Sequence, residues 1–381
     1  MDELKEQIPP ERGESPPCGM IGDIFSIFHE GERETENIKD HKVFNLDYIP
    51  EKIILREQAR KIAENMGSYI AKKLAEHILI SGLRGTGKTL TVKYLLNEAK
   101  RFAESKGIDF QPFYISVKRN RSTYSILREI TGLKKGLSPE DLYKEAEKKI
   151  NERRTIIALD EADFLKDYDI LYFLTRETDS MIITIVTNPF WINELDDHVR
   201  SSFQPTFVHF PEYNPDELFA ILKQRADMGL NEYDERGINF LAVKVASELK
   251  GDARYGILAL RILGKWNKWD EKSVEEAIIK SVKDLELMLI DSLNERSLFI
   301  LDLVSSHPDG METSELYKEF KKEFDLSKFT FFSYLDELDK IGLISTVGRK
   351  QLKHGGHPYI VRSLIHYPDL IKEALKRKAS F

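Results

Sequence analysis

Cysteine is all but missing: Cys18 is the single one in 381 residues. A lone thiol excludes an intrachain disulfide and fits a reducing compartment. Long apolar runs are missing too. The longest aliphatic stretches, such as MIITIV at 181–186, are far too short to cross a bilayer, so no membrane is expected among the partners. The opening MDELKEQIPPERGESPP is acidic and proline-rich with no apolar segment. A secretory signal is therefore not expected, and the expected location is the cytoplasm, with the nucleoid. No cluster of cysteine and histidine suggests zinc. Positive charge is not in excess either, since 57 Lys and Arg stand against 64 Asp and Glu, a net −7. That balance argues against coating nucleic acid through overall charge, and any basic patch has to be found by position.

What is present is 41% hydrophobic and 32% charged, the make-up of a soluble protein with real cores. The length suits roughly two to three domains. Residues 1–45 are polar and weakly patterned, and read as a mobile arm. A helical spacing over 56–76 precedes a short apolar strand, HILIS at 77–81, and a second helix over 88–105. Further strands are expected at 113–117, 155–160 and 181–187, with a helix over 138–154 opened by Ser138 and Pro139. The last two strands are near-continuous β-branched runs, as in strands buried on both faces. Residues 46–212 are therefore expected to form a doubly wound α/β domain on a parallel sheet. Residues 213–285, opened by Asn214, Pro215 and Glu217, read as an all-α domain. From 286 to 381, three helical stretches lead to two short strands around a glycine-bearing turn, the pattern of a winged helix-turn-helix. No internal repeat is visible.

The chemistry concentrates after the first strand, in GLRGTGKTL. Gly82, Leu83, Arg84, Gly85, Thr86 and Gly87 form a loop that packs no core, because glycine loses the most backbone entropy on ordering. The spacing Gly82-x-x-x-x-Gly87-Lys88-Thr89 is that of a phosphate-binding loop between a strand and a helix that continues through Leu90. Backbone N–H groups would cradle phosphates, Lys88 would reach their outer oxygens, and the Thr89 hydroxyl would ligate Mg2+. Asp160 ends an apolar strand in IIALDEADFL, where a carboxylate can hold magnesium and Glu161 can orient or deprotonate a water. The alternative for this acid pair is a helix cap. Asn188 ends the next strand and can position a water or the outer phosphate, or can simply be a turn residue before Pro189. Gly251 would end one helix and Asp252 cap the next, leaving Arg254 in a first turn against the macrodipole. A nearby phosphate would remove that objection; plain solvation is the alternative.

The ordered set GLRGTGKT, LDEAD, TN and GDAR, ending in a winged helix, resembles the archaeal origin-recognition replication initiators of the AAA+ class. The resemblance runs from about 44 to 365 and includes DYIPEKIILREQ ahead of the phosphate loop and PEYNPDEL at the entry to the lid. It implies an adenine-side motif at Tyr48, Ile49, Pro50 and Arg56, with Tyr213 at the lid entry. It also implies sensor roles for Asn188 and Arg254, and ATP or ADP with Mg2+ as cofactors. Leu55 stands where many relatives have histidine, and His198 where an arginine is common, so Arg200 is the candidate arginine finger.

Two basic stretches are candidates for DNA. The hairpin from Gly348 to Arg362 carries Arg349, Lys350 and Lys353 and no carboxylate, and the helix before it places Lys328, Thr330, Ser333 and Tyr334 towards its start. Lys118, Arg119 and Arg121 follow a strand of the ATPase domain and would make positioning contacts. The alternative in each case is a solvated surface. The expected function is an ATP-dependent initiator that binds double-stranded origin DNA with paralogous subunits and helps recruit or load the replicative helicase, hydrolysis acting as a slow switch. The rivals are an ATPase of a mobile element or clamp-loader-like machine, and a winged-helix transcriptional regulator with a structural nucleotide.

Overall fold

The computed structural model describes residues 36–74, 76–133, 138–347 and 359–379. Five strands, β1 (Ile78–Ser81), β2 (Phe110–Ser116), β3 (Arg154–Asp160), β4 (Met181–Ile185) and β5 (Thr206–His209), form a wholly parallel sheet in the order β2-β3-β4-β1-β5. Every residue of β1 and β4 is buried, which is why these segments are apolar without alternation. Successive residues serve opposite faces. Ile78 and Ile80 pack against helices Glu57–Lys72 and Lys88–Ser105, whereas Leu79 joins the layer of helices Thr123–Thr131, Pro139–Asn151 and Asp169–Arg176.

β2 begins at Phe110, three residues before the expected start. Pro112 interrupts the apolar run but is tolerated because β2 lies at the sheet edge.

The segment 36–45, read from sequence as part of a mobile arm, is instead fixed to the helical domain. Val43 and Phe44 are fully buried, and Ile38 bridges to Leu230. Helix Pro215–Gly229 ends in glycine at this contact, since a Cβ there would lie 2.3 Å from Val43 Cγ2. Arg225, itself buried, donates to the carbonyl oxygens of Val43 and Tyr48.

Helices Pro215–Gly229, Glu235–Glu248, Ala253–Trp266 and Glu271–Asp291 form the lid around one core. The first is opened by a reciprocal cap in which Asn214 and Glu217 each accept from the other's backbone N–H. The last shows no break at 285: it buries Val274 and Val282 in the lid core and Ile290 in the C-terminal one.

The C-terminal part comprises helices Glu295–Ser305, Thr313–Glu323 and Lys328–Lys340, then a small antiparallel sheet of β6 (Met311–Glu312), β7 (Ile344–Val347) and β8 (Ile360–Ser363) in the order β6-β8-β7. This is a winged helix. A further helix, Asp369–Ala379, closes it through buried Ile371 and Ala374.

Candidate functional site

The glycine loop follows β1 directly. Gly82, Gly85 and Gly87 have φ of +148°, +73° and +84°, the region side chains avoid. A Cβ on Gly85 would lie 1.8 Å from Asp252 Oδ1, and one on Gly87 would lie 2.0 Å from the Tyr213 hydroxyl. Both contacts come from the lid side, so the loop glycines permit lid and base to meet.

Lys88 and Thr89 open the helix that the loop feeds. Lys88 is 8% exposed, and its ammonium donates to the carbonyl oxygens of Gly82 and Leu83 at 2.6 and 2.7 Å. Burial lowers its pKa to about 8, with Asp160 pulling the other way. The Thr89 hydroxyl donates to Asp160 Oδ2 at 2.8 Å, and the Tyr114 hydroxyl donates to the same oxygen. Asp160 Oδ1 accepts from the Glu161 backbone N–H at 2.9 Å. Glu161 adopts φ +56°, a strained conformation for this residue, and burial raises its carboxyl pKa.

These groups line a cavity of about 720 Å³. Its lining is polar at Arg84, Lys88, Thr89, Asp160 and Glu161 and apolar at Ile49, Pro50, Ile53, Ile54 and Ile257. Leu90, Tyr213 and Arg254 also face it, together with Arg119. Arg254 sits in the first turn of helix Ala253–Trp266, as expected, but Asp252 meets its charge: Nε lies 2.9 and 3.1 Å from the two carboxylate oxygens. Burial opposes the guanidinium's charge, yet this pairing outweighs it and the net shift is upward.

Several expected residues lie elsewhere. Asn188 is exposed, accepts from the Phe190 N–H at 2.9 Å and caps the turn Pro189–Glu194, whereas Val186 and Thr187 line the cavity. Its strand ends at Ile185, and the turn before Pro189 directs the amide away. Arg56 and Tyr48 stand behind the wall. Arg56 is buried, pairs with Glu217 at 2.9 Å, lies 4.5 Å over the Tyr213 ring and donates to Thr86 O at 3.4 Å. It ties the phosphate loop to the lid entry. The Tyr48 ring faces Arg225 at 4.7 Å. Gly82 packs on Phe210, and Thr86 holds the loop by donating to Leu83 O at 2.8 Å. Tyr114 and Lys340 line the cavity without a motif to announce them, and Asp163 does so from the end of LDEAD. Arg200 pairs with Asp197 on its own helix.

The basic stretch after β2 divides. Arg119 faces the cavity, whereas Arg121 pairs with Glu337 of helix Lys328–Lys340 at 3.0 Å. Lys118 lies 5.9 Å from the Phe164 ring centre. On that helix Lys328 and Ser333 are exposed, and Thr330 and Tyr334 are half-buried, Tyr334 accepting from Arg296 at 3.3 Å. Arg349, Lys350 and Lys353 lie outside the described residues.

A parallel five-stranded sheet with a phosphate-type loop after β1, a helical lid and a winged helix defines an AAA+ protein. Residues 71–191 match the family model described as AAA domain, and residues 24–108 match one described as a protein of unknown function, DUF815. The chain is 31% identical over 334 residues to an ORC1-type DNA replication protein 1 of Sulfolobus acidocaldarius, covering 78% of this chain and 83% of that one. It is 28% identical to an ORC1-type DNA replication protein of Desulfurococcus amylolyticus, covering 89% and 94%. The chain belongs to the family of ORC1-type DNA replication proteins. Its fold matches the Aeropyrum pernix ORC1 protein solved in complex with DNA, with a TM-score of 0.71 at 23% identity over 90% of this chain and 98% of that one. The Aeropyrum pernix ORC2 protein, solved as ADPNP–ADP complexes, matches with a TM-score of 0.58 at 19% identity over 91% and 100%.

Proposed function

We propose that this chain is an ATP-dependent replication initiator that binds duplex origin DNA. The observation that carries the reading is the convergence of Lys88, Thr89 and Asp160 in a cavity whose lining also includes Ile49, Pro50, Ile53, Ile54 and Ile257. Phosphates suit the polar lining and a base suits the apolar lining. Triphosphate oxygens would replace the carbonyls of Gly82 and Leu83 as acceptors for the buried Lys88 ammonium. The donor set also fits Mg2+. A hydroxyl and a carboxylate stand 2.8 Å apart, both hard oxygen ligands, and among the described residues no group of three or more His, Cys, Asp or Glu could hold an ion without phosphate help. Bound there, Mg2+ would neutralise phosphate charge. Glu161, half-buried beside Asp160, would orient the attacking water and accept its proton, giving a slow ATPase. Arg254 would bring the lid onto the phosphates, exchanging Asp252 for the nucleotide.

On the DNA side, Lys328, Thr330, Ser333 and Tyr334 would approach the major groove, with Arg349, Lys350 and Lys353 on the adjoining hairpin. Lys118 and Arg119 would touch phosphates. Two features support this reading: membership of the family, and a fold shared with a relative solved on DNA. Assembly with paralogous subunits and recruitment or loading of the replicative helicase complete the proposal, in the domain order arm, ATPase base, lid and winged helix. The test is competition between an origin fragment and a scrambled duplex at physiological salt. Phosphate contacts are blind to sequence, so the origin should bind more tightly. Equal affinities would reduce the protein to a general DNA-binding ATPase.

A further inference from the structure

Phe329, the second residue of helix Lys328–Lys340, is 85% exposed, more than any other large apolar side chain among the described residues. One turn on, Phe332 is exposed as well, edge-on to Phe331 with the ring centres 5.4 Å apart. Phe331, Leu335 and Leu338 turn inward and are buried, so Phe329, Phe332 and Ser333 share the outward face. A single exposed apolar residue is ordinary. Here there are two on one face, where straight-chain polar residues would favour the helix more. The charge around them is also one-sided. No carboxylate stands between Asp325 and Asp336, and the neighbouring Lys328 is exposed, 5.7 Å from the Tyr317 ring centre. The acids further along are engaged within the protein: Asp336 pairs with Lys340 at 2.7 Å and Glu337 with Arg121 at 3.0 Å.

We propose that Phe329 is a specificity-determining residue that reads the C5 methyl of thymine in the major groove, with Phe332 covering the adjoining base step. The inference rests on the DNA binding proposed above and adds to it the base and the group recognised. A duplex matches both properties of this face. Its phosphates suit Lys328, and thymine alone among the bases presents a methyl on its major-groove edge. The spacing fits too: three residues of helix advance about 4.5 Å, against about 3.4 Å between stacked base pairs. A phenyl ring makes no hydrogen bond to a base edge, so it tells thymine from the other bases by contact with the methyl. Taking the methyl away, with the base pair kept, therefore removes what the ring reads.

The experiment selects duplexes from a randomised pool with the full chain. Each thymine of the enriched sequence is then replaced in turn by deoxyuridine, which removes the methyl and leaves the hydrogen-bonding edges intact. At one position, or at two adjacent ones, the wild type should lose about fourfold in affinity, the worth of one buried methyl-sized group. Phe329→Ala should bind the thymine and uracil duplexes alike at the Phe329-dependent position, with an unchanged salt slope, since no phosphate contact is lost. Lys328→Ala should do the reverse, flattening the salt slope and keeping the discrimination. If the wild type enriches a sequence but is indifferent to every uracil, or if Phe329→Ala discriminates as the wild type does, Phe329 reads no thymine while the proposed function stands. Wild-type affinity and selectivity in Phe329→Ala would assign the exposed ring to a protein surface instead. If the wild type enriches no sequence, the proposed origin binding falls and this inference with it.

Discussion

The hydroxyl of Thr89 donates to Asp160 Oδ2 across 2.8 Å, joining the first turn after the glycine loop to the end of β3. Two residues 71 positions apart are thereby held as a preformed pair of oxygens. For the proposed hydrolysis the second acid would be Glu161, the next residue in the chain.

The roles of Lys88 and Glu161 separate on mutation. Lys88→Ala should abolish nucleotide binding, because it removes the buried cation that faces the phosphates. Glu161→Gln should bind nucleotide normally and lose turnover. Turnover at the wild-type rate in Glu161→Gln would show that another group orients the water.

The low pKa of Lys88 has a measurable consequence. Burial places it at about 8, so in the free protein the ammonium loses its proton as pH rises through that value. A bound phosphate favours the charged form, and nucleotide binding should take up about half a proton at about pH 8 and almost none at about pH 6.5. Binding should weaken above pH 8 for the same reason. Calorimetry in two buffers of different ionisation enthalpy reads this directly; proton release at pH 8 would contradict it.

Phe44 tests the anchoring of the segment before the ATPase domain. It is fully buried against the lid, so Phe44→Ala should cost about 3–5 kcal/mol by denaturant unfolding. A loss below about 1 kcal/mol would mean that the segment lies loosely on the lid in solution.

The wing can be separated from the ATPase domain by salt. Arg349→Ala with Lys353→Ala should weaken binding to any duplex and flatten the log–log salt dependence by roughly 0.9 for each lost phosphate contact. Nucleotide affinity should not change. Normal DNA binding by this variant, with sensitivity at Lys118 and Arg119 instead, would move the anchor to the ATPase domain.

Much of this architecture is legible from residue order. β1, β3 and β4 announce themselves because burial on both faces forces unbroken apolar runs, and the glycine loop because no packing role explains three glycines in six residues. Lys88, Thr89, Asp160 and Glu161 share a cavity because each ends or begins an element at the same sheet edge. Other positions depend on contacts that no local spacing encodes. Tyr114 and Lys340 reach the cavity from two separate elements. Arg56 reads as a ligand-side residue, yet its fork is taken up by Glu217 and by carbonyls of the loop and lid. Ile38, Val43 and Phe44 follow neither a helical nor a strand period, so their burial shows only once the lid is folded. Asn188 illustrates local chemistry prevailing over position: an asparagine before proline satisfies its own turn first.

Helix Glu271–Asp291 passes from the lid into the winged helix without interruption. Its 21 residues span about 31 Å, and over that length an α-helix is stiff. It forms a lever arm between the lid core and the C-terminal core. Tilting the lid by about 10° swings the far end by roughly 5 Å, comparable to the rise of one helical turn. Closing of the lid on the proposed nucleotide would re-aim the winged helix by the same rotation, one motion seen at two radii.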